Sequence, residues 1–246
     1  MPHGETPGQV AASLARARRE GLESACLEAE LRAGLPRGLL LAIASRETRC
    51  RDVVGDGGHG RGYFQIDDRS HAAFLRRHGV LESGVPPLRE AAGYAAALVA
   101  GNLAFGRGKG VHDARLLRFA LSAYNAGAGS AIKAYRAGDS DRPTAHGNYG
   151  RDVLARLRIV QAWLDGAPVP RTRPTIREGS RGKAVLELKR RLAARSTGPV
   201  RFAATPVWGK PLTEAVREFQ RASGLDDDGV VGPDTWSALD LLVGPG

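Results

Sequence analysis

Residues 165–178 read DGAPVPRTRPTIRE, and the close spacing of Pro168, Pro170 and Pro174 limits the fold more than any other feature of the chain. Prolines at this density fix φ, remove backbone donors and stiffen an extended, solvated connector. The 246 residues therefore divide into a first domain over 1–166, a linker over 167–176 and a second domain over 177–246. The length is sufficient for two ordinary domains with cores of their own.

In the first domain apolar residues recur three and four apart near 9–20, 36–50, 88–105, 112–124 and 149–164, which predicts helices. The exception is GDGGHGRG followed by YFQID, a glycine loop running into a short alternating strand. In the second domain VWGKPLTEAV from Val207 echoes VVGPDTWSAL from Val230. Two turn-and-helix units, with a first helix near 181–194, make a three-helix module. The expected fold is mainly α, an α+β first domain with a small β element followed by a small three-helix domain.

Lys and Arg exceed Asp and Glu by 36 to 26, and the excess is shared by both domains. An anionic partner fits such a charge, which steers association without specifying the partner. Nucleic acid is not expected, because aromatic residues at 6% are too few for a stacking platform. The apolar stretches near 39–44 and 95–100 are far shorter than the roughly 20 residues of a membrane span. The first twenty residues lack an apolar core after a basic start, so the expectation is a protein made and left in the cytoplasm. Cys26 and Cys50 form no CxxC and have no His at zinc-finger spacing, so no metal is expected; they are one disulfide or two buried thiols. The aspartate run Asp226 to Asp228 lacks the alternating ligands of a calcium loop and reads as a turn.

The helix beginning near Pro36 places Leu40, Ile43, Ala44 and Glu47 on one stripe. A carboxylate there is partly desolvated and sits in the last helical turn, where the dipole disfavours negative charge; both effects raise its pKa, as a general acid requires. The alternative is an exposed Glu paired with Arg46, Arg49 or Arg51. Asp56 lies in the glycine loop and Asp67 at the end of the strand. If Tyr63, Gln65 and Asp67 share one face while Phe64 and Ile66 turn to the core, three carboxylates converge on one cleft. Glycoside hydrolysis uses such a pair, one carboxylic acid to protonate the leaving oxygen and one carboxylate to activate water. Equally, Asp56 suits a turn and Asp67 the N-cap of a helix starting near Arg69.

SRET, GDGGHGRGYFQIDDRSH and AYNAG, in that order, resemble the signature blocks of goose-type lysozymes and their relatives, the soluble lytic transglycosylases, over roughly residues 35–165. The resemblance implies that Glu47 is the catalytic acid, that Asp56 and Asp67 are the two aspartates goose-type members add, and that Gln65, His71, Tyr124 and Asn125 contact substrate. A closing segment is implied at NYGRDVLAR from Asn148. Tyr63 and Phe64 stand where the family usually has Leu-Met, which implies a bulkier sugar-facing wall. REGSRGKAVLELKRRL, AVREFQRASGL and DDDGVVGPDTWSAL resemble the small helical peptidoglycan-binding domain over about 175–243.

These resemblances imply a monomeric, cofactor-free muramidase that cuts the β-1,4 bond between N-acetylmuramic acid and N-acetylglucosamine and is tethered to bacterial peptidoglycan. Two aspartates imply inverting hydrolysis, with acid and base about 6.5–9.5 Å apart to seat a water. The alternatives are a lytic transglycosylase that closes a 1,6-anhydro ring and a non-catalytic wall-binding protein. The modular layout is similar to that of phage endolysins, which wait in the cytoplasm until a holin opens the membrane.

Overall fold

The computed structural model describes residues 5–166, 173–193, 202, 205–223 and 225–240. The chain is mainly α and divides into two compact units, Met1–Pro170 and Arg171–Gly246. The C-terminal part of the expected linker packs on the second unit. There Ile176 bridges Val231, and the Pro174 carbonyl accepts from Trp236 Nε1 at 2.9 Å.

The first unit contains α1 (Pro7–Arg19), α2 (Leu22–Ala33), α3 (Leu39–Thr48), α4 (Asp68–Arg77), α5 (Leu88–Gly108), α6 (Asp113–Ala126), α7 (Ala128–Arg136) and α8 (Tyr149–Leu164). Its core centres on α3, where Leu39 through Ser45 are all buried, so this helix is surrounded by its neighbours. Buried carboxylates hold two helix starts. Glu30 of α2 accepts from the backbone N–H groups of Gly38 and Leu40, each at 2.6 Å, at the head of α3. Burial pushes its pKa up to about 7 against those same hydrogen bonds. Asp141 accepts from Gly150 N at 2.6 Å and Arg151 N at 3.1 Å at the head of α8.

The β element is a three-stranded antiparallel sheet, β1 (Val54–Gly55), β2 (Gly60–Arg61) and β3 (Ile66–Asp67), in the order β1-β2-β3. It is shorter than the alternating strand expected over 63–67. Gln65 adopts φ +46°, which breaks the alternation, and Tyr63 and Phe64 lie in a turn with 6% and 1% of their surface exposed. They are core residues rather than a sugar-facing wall: the Tyr63 hydroxyl donates to Glu20 at 2.9 Å.

The second unit holds α9 (Lys183–Ala193), α10 (Lys210–Ala222) and α11 (Pro233–Asp240) around a core that includes Val185, Leu188, Trp208, Leu212, Val216 and Trp236. The repeated turns pair with the segment before α9 through bridges Ile176–Val231 and Arg181–Val207. The Asp226 to Asp228 run is a turn, in which Asp228 accepts from Val230 N and Gln220 Nε2. Cys26 and Cys50 are buried free thiols, and burial pushes the Cys50 thiol up to about 12.

Candidate active site

A cleft of about 780 Å³ opens on the first unit, and all seven side chains named from the sequence line it, together with Arg69, Leu98 and Asn102. The residues come from α3, the glycine loop, the turn into β3, β3 itself, the start of α4, α5 and the end of α6, so the fold assembles what the chain spreads between Glu47 and Asn125.

Glu47 sits in the last turn of α3 and is half-buried. The Tyr149 hydroxyl at the start of α8 donates to its Oε1. Burial pushes the Glu47 carboxyl up to about 7, against the Tyr149 hydrogen bond and the charges of Arg46 and Arg156, which pull it down. The arginines next to it in sequence are committed elsewhere. Arg46 Nε faces Asp152 at 2.7 Å, Arg49 Nε faces Glu5 at 2.9 Å, and Arg51 Nε donates to the Thr48 carbonyl at 3.3 Å. Arg156, fully buried, joins Asp152 and Glu5 behind the same helix. The exposed, ion-paired Glu47 that the sequence also allowed is not what the fold builds.

Asp67 both caps α4 and lines the cleft. Its Oδ1 accepts from Arg69 N at 2.8 Å and Ser70 N at 3.3 Å, and the Arg69 guanidinium pairs with the same carboxylate. That guanidinium, with the helix N–H groups, holds the Asp67 carboxyl below the usual carboxylate range. Asp56 stands in a 3-10 turn (Asp56–Gly58) at φ +48°, a conformation that Asp tolerates better than most residues, and meets Arg69 Nη2 at 2.5 Å. The cleft therefore holds one carboxyl shifted upward and one shifted downward, a separation that suits acid–base chemistry near neutral pH.

The remaining four play different parts. Gln65 Nε2 donates to the carbonyls of Val53 (3.1 Å) and Gly62 (2.9 Å), so its amide donors tie the glycine loop. A Cβ on Gly55 or Gly60 would meet Gln65 Oε1 at 2.1 or 2.3 Å, and only glycine leaves room for it there. His71 Nδ1 lies 3.1 Å from the Tyr94 hydroxyl, and burial holds its pKa below the ordinary value. The Tyr124 hydroxyl donates to the Phe64 carbonyl at 3.0 Å, and its ring stacks on that of Tyr149 with centroids 6.4 Å apart. Asn125 Oδ1 accepts from Ala145 N at 2.8 Å, pinning the loop that leads to α8.

The sequence marks Tyr149 only as part of the NYGRDVLAR segment and Arg69 only as the start of a helix. Tyr149 is 1% exposed and reads as core, and Arg69 sits in a charged string that reads as solvated. Among the described residues no group of three or more His, Cys, Asp or Glu side chains is placed to hold a metal ion, and no helix is long and apolar enough to cross a membrane.

Residues 181–239 match the family model described as "putative peptidoglycan binding domain". No curated protein matches the chain.

Proposed function

We propose that this chain is a peptidoglycan-cleaving glycosidase whose first unit hydrolyses the β-1,4 bond between N-acetylmuramic acid and N-acetylglucosamine while its second unit holds the wall. The observation that carries the reading is the opposed pair in one cleft, Glu47 raised to about 7 and Asp67 lowered, with Asp56 beside it. The match of 181–239 supports the wall as substrate and tether.

In this mechanism Glu47 is protonated below about pH 7. Its Oε1 accepts from Tyr149, so Oε2 carries the transferable proton to the leaving glycosidic oxygen. The two aspartates border the cleft on the side of the glycine loop, and one of them takes the proton released by the attacking water. Tethering through the second unit raises the effective concentration of the cleft at the polymer.

A lytic transglycosylase is the second reading, favoured by the engagement of both aspartates with Arg69, which competes for their lone pairs. The test is release of reducing ends from purified sacculi by wild type and Asp67→Asn. A loss of at least about a hundredfold in the variant supports the hydrolase. Wild-type rates retained without Asp67 would exclude it.

A further inference from the structure

Arg69, exposed at the start of α4, joins the two aspartates unequally. Its Nε donates to both Oδ1 (3.1 Å) and Oδ2 (3.0 Å) of Asp67, and its Nη2 donates to Asp67 Oδ2 and, at 2.5 Å, to Asp56 Oδ2. With the N–H groups of Arg69 and Ser70 also on Oδ1, both oxygens of Asp67 are occupied by donors. Asp56 has Arg69 as its one side-chain partner among the described residues, and its Oδ1 accepts from none of them. Asp68, the third carboxylate of the string, does not compete, because His59 (2.9 Å) and Arg61 (3.5 Å) face it.

We infer that Arg69 is a positioning residue: anchored on Asp67, it holds Asp56 so that Asp56 Oδ1 accepts the proton of the attacking water. The inference rests on the glycosidase reading above and assigns unequal work to the two aspartates. Two bare carboxylates bordering one cleft repel, and a planar guanidinium fork offsets that repulsion at fixed geometry, which a lysine ammonium does not reproduce. In hydrolysis the water oxygen bonds to the anomeric carbon as the glycosidic bond breaks. The leaving oxygen takes the Glu47 proton, and Asp56 takes one proton of the water. Without a held water, the 6-hydroxyl of the muramic acid bonds to the same carbon and returns its proton to the Glu47 carboxylate, giving the 1,6-anhydro product.

The test is a double-mutant cycle of Arg69→Gln and Asp56→Asn, read as reducing and 1,6-anhydro ends released from purified sacculi. Each single variant is expected to lower reducing ends about a hundredfold. The double variant is expected to lose no more than either alone, because both remove one device. The anhydro fraction rises in all three, and Arg69→Lys does not restore the wild-type ratio. Multiplying losses, or unchanged reducing ends in Arg69→Gln, would overturn the inference while leaving the hydrolase reading intact. A wild type that releases no reducing ends would overturn both.

Discussion

The Tyr149 hydroxyl donates to Glu47 Oε1, joining the first residue of α8 to the last turn of α3. The hydrogen bond works against the burial that raises the Glu47 carboxyl to about 7. Removing it in Tyr149→Phe is therefore expected to raise the Glu47 pKa further. In the proposed mechanism activity requires the protonated acid, so the alkaline limb of the pH–rate profile, expected near 7 in the wild type, is predicted to move upward in the variant. Profiles of sacculus lysis between pH 5 and 9 check this; a limb that stays in place or moves down would contradict it.

Glu47 also links stability to pH. Its folded pKa of about 7 exceeds the ordinary carboxylate value, so the folded state binds the proton more tightly than the unfolded chain. Stability from this group is complete below about pH 4.5 and declines as pH rises through 7. Glu47→Gln removes the titration. Its stability relative to wild type is expected to be about 1 to 3 kcal/mol higher at pH 8 than at pH 5, read from denaturant unfolding at both values. An equal difference at the two pH values would refute the burial argument.

Gly150 shows how tightly α8 is seated. A Cβ there would meet the Arg118 carbonyl oxygen at 2.8 Å, Asp141 Oδ1 at 2.9 Å and Ser122 Oγ at 3.0 Å. The backbone oxygen has little room to move, so Gly150→Ala is expected to destabilise the first unit by about 1 to 3 kcal/mol. Because Asp141 caps the helix that carries Tyr149, lysis should fall along with stability. A wild-type melting temperature would contradict this packing.

A protein ending near Gly166 retains the whole cleft and the core around α3. It is expected to cleave soluble glycan fragments at the wild-type rate but to pellet poorly with insoluble sacculi. Undiminished pelleting would remove the tethering role of residues 181–239.

The helical frame was legible because long amphipathic segments such as α5 and α8 repeat their apolar residues at 3.6. Helix α2 was not, since after Leu22 its buried face is made of the small residues Ala25, Cys26 and Ala29 and ends on the carboxylate of Glu30. The strand is shorter than YFQID suggests because nothing in that run announces the left-handed backbone of Gln65. Glu47 stood out as a charge continuing an apolar stripe. Tyr149 did not, because a tyrosine on an apolar face carries no sign of a partner 102 positions away. The grip of Arg69 on two aspartates depends on the loop fold rather than on any spacing.

The most direct measurement of the central claim is mass spectrometry of the fragments that wild type and Glu47→Gln release from purified sacculi. The wild type is predicted to release disaccharide peptides ending in reducing muramic acid, and Glu47→Gln to release none while remaining folded and wall-bound. Intact glycan strands after wild-type treatment, or equal release by Glu47→Gln, would contradict the account.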